Sequence, residues 1–221
     1  MLDRIDFVDT RCVVLFGGSL GGALAPILAA ERPVRGVIVA GGFTRTWYEH
    51  MLEIERTRRE LAGMSAADIN AAMPGVAELY LDYLYGGRTP GQVVRAKPRL
   101  APLWDDAPDG QYGRPAAFFQ QVAALNVEAA WDKVDAPVLV LYGEYDWIMS
   151  RADQERILEI VNARRPERAR LLLLARTDHN LDVYPSRLDA FHGRGGRFDE
   201  ALVGRVIDWL DAQWGDRVSH P

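Results

Sequence analysis

Two short runs of aliphatic and β-branched residues, Arg11-Cys12-Val13-Val14-Leu15-Phe16 and Val34-Arg35-Gly36-Val37-Ile38-Val39-Ala40, are each closed by a glycine pair. Between them lies the helix-length segment Leu20–Glu31. Runs this short and apolar read as strands buried on both faces, and a strand–helix–strand order requires a parallel sheet with a right-handed crossover. Pro26 falls inside the helical segment and should kink it, because its ring crowds the carbonyl four residues back. The pattern returns near the C-terminus. Pro137–Tyr142 and Arg170–Ala175 read as a third and a fourth strand. Ser150 with Asp153 can cap a helix ending before Pro166, and Asp199–Trp214 forms a last amphipathic helix with Leu202, Val203, Val206, Ile207 and Leu210 on one face. The fold class is therefore α/β, a parallel sheet of about four strands.

Between the two halves the period changes. Trp47, Met51, Ile54 and Leu61 recur at helical spacing, and Ser65-Ala66-Ala67-Asp68 is a capping signal for a second helix. From Gly86 to Pro115 the prolines Pro90, Pro98, Pro102 and Pro108 suggest an extended surface loop. Residues 1–42 and 132–221 are thus expected to form the core, and residues 43–131 a helical insertion.

Of 221 residues, 26 are basic and 31 acidic, giving a net charge of −5. No long Lys/Arg run could follow a phosphate backbone, so a nucleic-acid partner is not expected. No apolar stretch reaches the roughly 18 residues of a membrane span, and acidic residues in Met1–Asp6 argue against a secretory leader, so the sequence reads as cytoplasmic. Cys12 is the only cysteine: no disulfide within the chain can form, no metal cluster is suggested, and its apolar neighbours imply a packed thiol.

The chemistry concentrates at Gly17-Gly18-Ser19-Leu20-Gly21. A Gly-x-Ser-x-Gly turn between a buried strand and a helix holds a serine hydroxyl clear of the sheet's C-terminal edge. Side chains at Gly17 or Gly21 are expected to collide with neighbouring backbone. The helix N-terminus presents N–H groups to developing negative charge, with Leu20 N–H as the natural first oxyanion donor. No phosphate-loop pattern fits Gly17–Gly22. A serine nucleophile needs a base, and the base needs an orienting carboxylate. Asp146 follows the third strand and His179 follows the fourth, so all three residues project from the same edge of the sheet. Glu144 is a competing acid. His50 lies in the insertion, His192 well past the strand and His220 in the tail. His192-Gly193-Arg194-Gly195-Gly196 follows the last strand rather than one preceding the serine, so it reads as an ordinary connection and not as an oxyanion loop.

Together, Phe16-Gly17-Gly18-Ser19-Leu20-Gly21-Gly22, Leu141-Tyr142-Gly143-Glu144-Tyr145-Asp146 and Asp178-His179 resemble the α/β-hydrolase superfamily, in the style of its esterase and serine-aminopeptidase-like members. The resemblance implies core strands five to eight with residues 43–131 as the cap. It also implies Ser19 as nucleophile, Asp146 as acid and His179 as base, with no cofactor. That family's core has four strands before the serine turn, whereas about ten residues precede the first strand here. The core is accordingly expected to be incomplete at its N-terminal side and to lack the loop that supplies a second oxyanion N–H. The first strand's open edge is then expected to pair with a second copy or a partner chain. Two functions follow: a serine hydrolase cleaving an ester or amide of a small molecule or peptide through an acyl-enzyme, or a non-catalytic or partner-dependent fragment. Trp47, Tyr48, Trp104, Phe118 and Phe119 are candidate linings of an acyl pocket, or simply packing between cap helices.

Overall fold

The computed structural model describes residues 5, 6 and 9–214, the side chain of Trp214 excepted. The N-terminal segment before residue 5 and His220 lie outside the described residues. The chain divides into two compact units: Met1–Thr44 with Val127–Pro221, and Arg45–Asn126.

In the first unit, β1 (Val14–Gly18), β2 (Gly36–Ala40), β5 (Val138–Gly143) and β6 (Ala169–Leu174) form one parallel sheet in the order β1-β2-β5-β6. The register pairs Leu15 with Val37, Val39 with Val140, and Leu141 with Leu172. Helix α1 (Gly21–Glu31) crosses between β1 and β2 and runs through Pro26; α6 (Val127–Trp131) precedes β5, and α7 (Arg151–Arg164) crosses between β5 and β6. Because strand side chains alternate, Ile38, Ala40, Leu139 and Leu141 share one face and pack with Leu174 against Leu202 and Trp209 of α9 (Ala201–Trp214). Val37, Val39, Val138 and Val140, fully buried, occupy the opposite face. Before α9 come a two-stranded ribbon, β7 (Asp182–Val183) with β8 (Arg197–Phe198), and α8 (Arg187–His192).

Three expectations need correction here. The first strand is not buried on both faces: it is the sheet's edge, and Phe16 is 61% exposed. An apolar run reports strand propensity, but burial depends on a neighbour that the run itself cannot specify. Cys12 is exposed, because the chain there makes a 3₁₀ turn (Thr10–Cys12) before the strand starts. On α9 the buried stripe is Leu202, Val206, Trp209 and Leu210, whereas Val203 and Ile207 are about half exposed.

The second unit contains α2 (Trp47–Leu61), α3 (Ala66–Leu84), α4 (Pro90–Ala96), a 3₁₀ segment (Pro98–Leu103), the short strands β3 (Gly110–Gln111) and β4 (Arg114–Pro115), and α5 (Ala116–Ala123). Ser65 caps α3 by accepting from Asp68 N–H. The stretch from Gly86 to Pro115 is not an extended surface loop. Thr89 and Gln92 form a reciprocal capping box with Pro90 at the helix start, Leu100 is 1% exposed, and Tyr112 and Gly113 turn the β3–β4 hairpin with positive φ angles. Prolines at a first helical turn start helices rather than break them. Met51, Ile69, Leu79, Tyr80 and Tyr83 make this unit's core. The buried Glu55 pairs with Arg59 there and accepts from the Tyr80 hydroxyl at 3.3 Å. No helix among the described residues is long and apolar enough to cross a membrane.

Candidate active site

Ser19 sits directly between β1 and α1 with φ +53°, the left-handed region that a non-glycine residue occupies only when its surroundings hold it there. Two hydrogen bonds hold it. Ser19 N–H donates to Ala40 O at 2.9 Å, extending the β1–β2 ladder by one residue, and Ser19 O accepts from Gly22 N–H at 2.8 Å. The glycines around it have unequal roles. A methyl on Gly17 would lie 2.3 Å from Gly21 O, and one on Gly22 would lie 2.7 Å from Gly42 Cα. A methyl on Gly21 would meet nothing within 4 Å. The expected collision at Gly21 is thus absent; the glycine that close packing demands on the helix side is Gly22, where α1 crosses the segment following β2.

Asp146 and His179 come together. Asp146 Oδ2 lies 2.9 Å from His179 Nδ1, and Asp146 Oδ1 accepts from both Ile148 N–H and Met149 N–H at 2.9 Å. The Asp146 side chain is 2% exposed and that of His179 11%. A buried carboxylate with its second oxygen held by two backbone donors can only offer Oδ2 in one direction, which fixes the orientation of the ring. Glu144, the competing acid, is exposed and accepts from Arg176 N–H at 2.8 Å, so it braces the loop that leads to the histidine.

That loop is anchored at several points. Asp178, 5% exposed, accepts from Asn180 N–H and Asp182 N–H at 2.9 and 3.0 Å, and burial raises its carboxyl above the ordinary pKa of 3.8. A methyl on Gly143 would lie 2.3 Å from Thr177 O, so the end of β5 touches the histidine loop through bare backbone. Ser19 is connected to the pair through β2: Gly41, next after Ala40, has φ +59°, and a methyl there would lie 3.0 Å from His179 Nδ1 and 3.1 Å from Asp146 Oδ2. The sequence signals for these positions are Gly22 beside the Gly-x-Ser-x-Gly turn, the pair Gly41-Gly42 closing the second strand and the single Gly143 after the third.

The remaining candidates lie elsewhere. His50 is 1% exposed inside the second unit beside Trp47, and His192 ends α8, its ring against Phe191. Gly193 caps α8 with φ +65°, so the His192–Gly196 stretch is a helix exit. Trp47 stacks on Phe119 at 5.0 Å, Phe118 meets Phe119 edge-on, Tyr48 faces Tyr85, and Trp104 packs against Tyr80 and Tyr83, all within the second unit. Among the described residues no group of three or more His, Cys, Asp or Glu side chains gathers as a metal would need.

The parallel sheet with a serine on its strand-to-helix turn and an acid–histidine pair past two later strands defines a hydrolase-type α/β architecture. The α/β-hydrolase family profile matches residues 2–194, and the chain belongs to that family. Among solved structures it is similar to VinJ (17% identity, TM-score 0.52), to Est1E from Butyrivibrio proteoclasticus (16%, 0.52) and to a Pyrococcus furiosus esterase (12%, 0.50). Each likeness covers 96% of this chain and, respectively, 69%, 65% and 57% of the other. No curated protein sequence matched.

Proposed function

We propose that the protein is a serine hydrolase of carboxylic esters or amides, with Ser19 as nucleophile, His179 as general base and Asp146 as the carboxylate that orients it. The observation that carries the reading is the buried 2.9 Å contact between Asp146 Oδ2 and His179 Nδ1. Asp146 holds the proton on Nδ1, which leaves Nε2 as the basic nitrogen. Nε2 takes the Ser19 hydroxyl proton as Oγ attacks the substrate carbonyl, and Leu20 N–H at the start of α1 donates to the resulting oxyanion. Collapse of that intermediate breaks the bond to the leaving alcohol or amine, which departs with the proton from Nε2. Water, deprotonated by the same nitrogen, then releases the acid and restores Ser19. Family membership supports hydrolase chemistry, and the fold is shared with an esterase; the substrates proposed are small molecules or peptides.

Labelling with a fluorophosphonate probe, followed by peptide mapping, tests the assignment. The adduct is expected on Ser19 and absent in Ser19→Ala; equal labelling of that variant overturns it. A second reading, a partner-dependent fragment, is favoured by the β1 edge, which no strand among the described residues covers, and by the exposure of Phe16. In that reading β1 pairs with a second copy or a partner chain, and the isolated monomer takes no probe while the associated form does.

A further inference from the structure

We propose that Gln154 is a positioning residue for His179, acting through the Gly41–Gly42 backbone; the inference rests on the hydrolase reading above. Gln154 lies on α7 in the turn after the Asp146 loop and is fully buried. Its amide makes a reciprocal pair with one residue: Nε2 donates to Gly42 O at 2.6 Å and Oε1 accepts from Gly42 N–H at 3.2 Å. Nε2 also donates to Ser150 O at 3.0 Å. Its neighbour Asp153, 1% exposed, accepts from Thr44 N–H and Thr44 Oγ1 at 3.1 and 2.7 Å. Two consecutive side chains of one helix thus hold the whole segment after β2.

That segment carries Gly41, whose α-carbon backs the imidazole closely enough that a methyl would sit 3.0 Å from Nδ1. On its other side, the loop leading into α7 supplies the N–H groups of residues 148 and 149 that hold Asp146 Oδ1. Helix α7 and the loop that Gln154 ties to it through Ser150 O therefore fix both the carboxylate that pulls on Nδ1 and the backbone wall behind the ring. With this helix and loop setting both surfaces, the ring keeps one orientation without contacting Gln154 itself. Buried amides with both donor hydrogens and the carbonyl oxygen engaged rigidify in this way, and loss of one partner leaves the other side unsatisfied.

The test uses Gln154→Met, close in shape but without the amide, and Val161→Ala, a buried change near the far end of the same helix that serves as the control for destabilisation of α7. The ring nitrogens of His179 are observed by NMR, and turnover is measured on a short p-nitrophenyl ester. Gln154→Met is expected to broaden or shift the His179 ring signals and to lower kcat about tenfold with KM nearly unchanged, since small misplacements of a catalytic group cost rate rather than binding. Val161→Ala is expected to do neither. If Gln154→Met does not fold, Gln154→Glu serves: burial keeps its carboxyl protonated, so its single O–H can donate to only one of Gly42 O and Ser150 O, whereas the amide donates to both. Ring signals that match those of Val161→Ala overturn the proposal, whatever the turnover. Perturbed ring signals in a protein that has no turnover at all uphold the positioning role and sink the hydrolase reading instead.

Discussion

Replacing the glycines around Ser19 one at a time should separate the residues that close packing demands from the one that the motif merely contains. At Gly17 a methyl would stand 2.3 Å from Gly21 O, and at Gly22 it would stand 2.7 Å from Gly42 Cα; ordinary contacts of this kind begin beyond 3 Å. The backbone must therefore yield by roughly 0.5–1 Å, and overpacking of that order costs about 1–3 kcal/mol. A shift of about 1 Å at a nucleophile also lowers turnover on the order of 100-fold. Gly21 is the first residue of α1 and has open space around it. There the alanine removes chain entropy from the unfolded state and should stabilise by about 0.5–1 kcal/mol. Between Gly21→Ala and Gly22→Ala the predicted gap is then about 2 kcal/mol or more, roughly 4–8 °C in Tm for a chain of this size. Thermal unfolding followed by tryptophan fluorescence reads the stability, and p-nitrophenyl ester hydrolysis reads the rate. The reasoning fails if Gly21→Ala is as damaging as Gly22→Ala in both measurements, because the second glycine of the motif would then act through something other than space.

Asp146→Asn should cost on the order of 10³–10⁴ in kcat by removing the acceptor that selects the ring tautomer, while Glu144→Gln stays within a few-fold of the parent; comparable losses would reassign the acid. Asp178 contributes to pH dependence with a definite sign. Its pKa is raised by burial, so the folded state holds this proton more tightly than the unfolded one, and stability falls as pH rises from about 3.8 through the raised value. Asp178→Asn keeps an oxygen for the N–H groups of residues 180 and 182 and should flatten that part of the stability–pH curve without loss at pH 7; a loss above about 1 kcal/mol would show that the charge itself is needed. Ile157→Ala, at a fully buried site between α7 and the segment after β2, should cost about 2–5 kcal/mol in denaturant unfolding, and a value below 1 would mean the site collapses freely.

The parts of the fold visible in sequence are those set by local patterns. Four apolar runs became the four parallel strands, and Ser150 and Ser65 cap the helices their spacing announced. Placement of Asp146 and His179 followed from one rule, that loops at the C-terminal ends of parallel strands converge, and those two side chains do meet. What stayed hidden depends on partners distant in sequence. Val13–Phe16 alone does not tell an edge strand from a central one, and the open edge is legible only through the resemblance to a family with four strands before the serine turn; the amide of Gln154 meets Gly42 across 112 residues without any motif linking them. Residues 86–115 differ from the expectation for another reason: Thr89, Pro90 and Gln92 spell a helix start, but so high a density of prolines also marks irregular chain.

The pairing of β2 with β5 has a consequence for synthesis. Val37 sits opposite Val138, partners separated by about a hundred residues, and closing a loop of that length costs about 4 kcal/mol of chain entropy. A ribosome adding about 5–20 residues each second leaves β2 without its inner neighbour for about 5–20 s. Throughout that interval Val37–Ala40 is an apolar ribbon with one row of peptide groups open, while the contiguous helical segment Arg45–Asn126 emerges and can organise through contacts that are short in sequence. The nascent chain therefore passes through a sticky stage that the finished protein does not have, and changes that slow the middle segment should lower soluble yield while leaving the native stability unaltered.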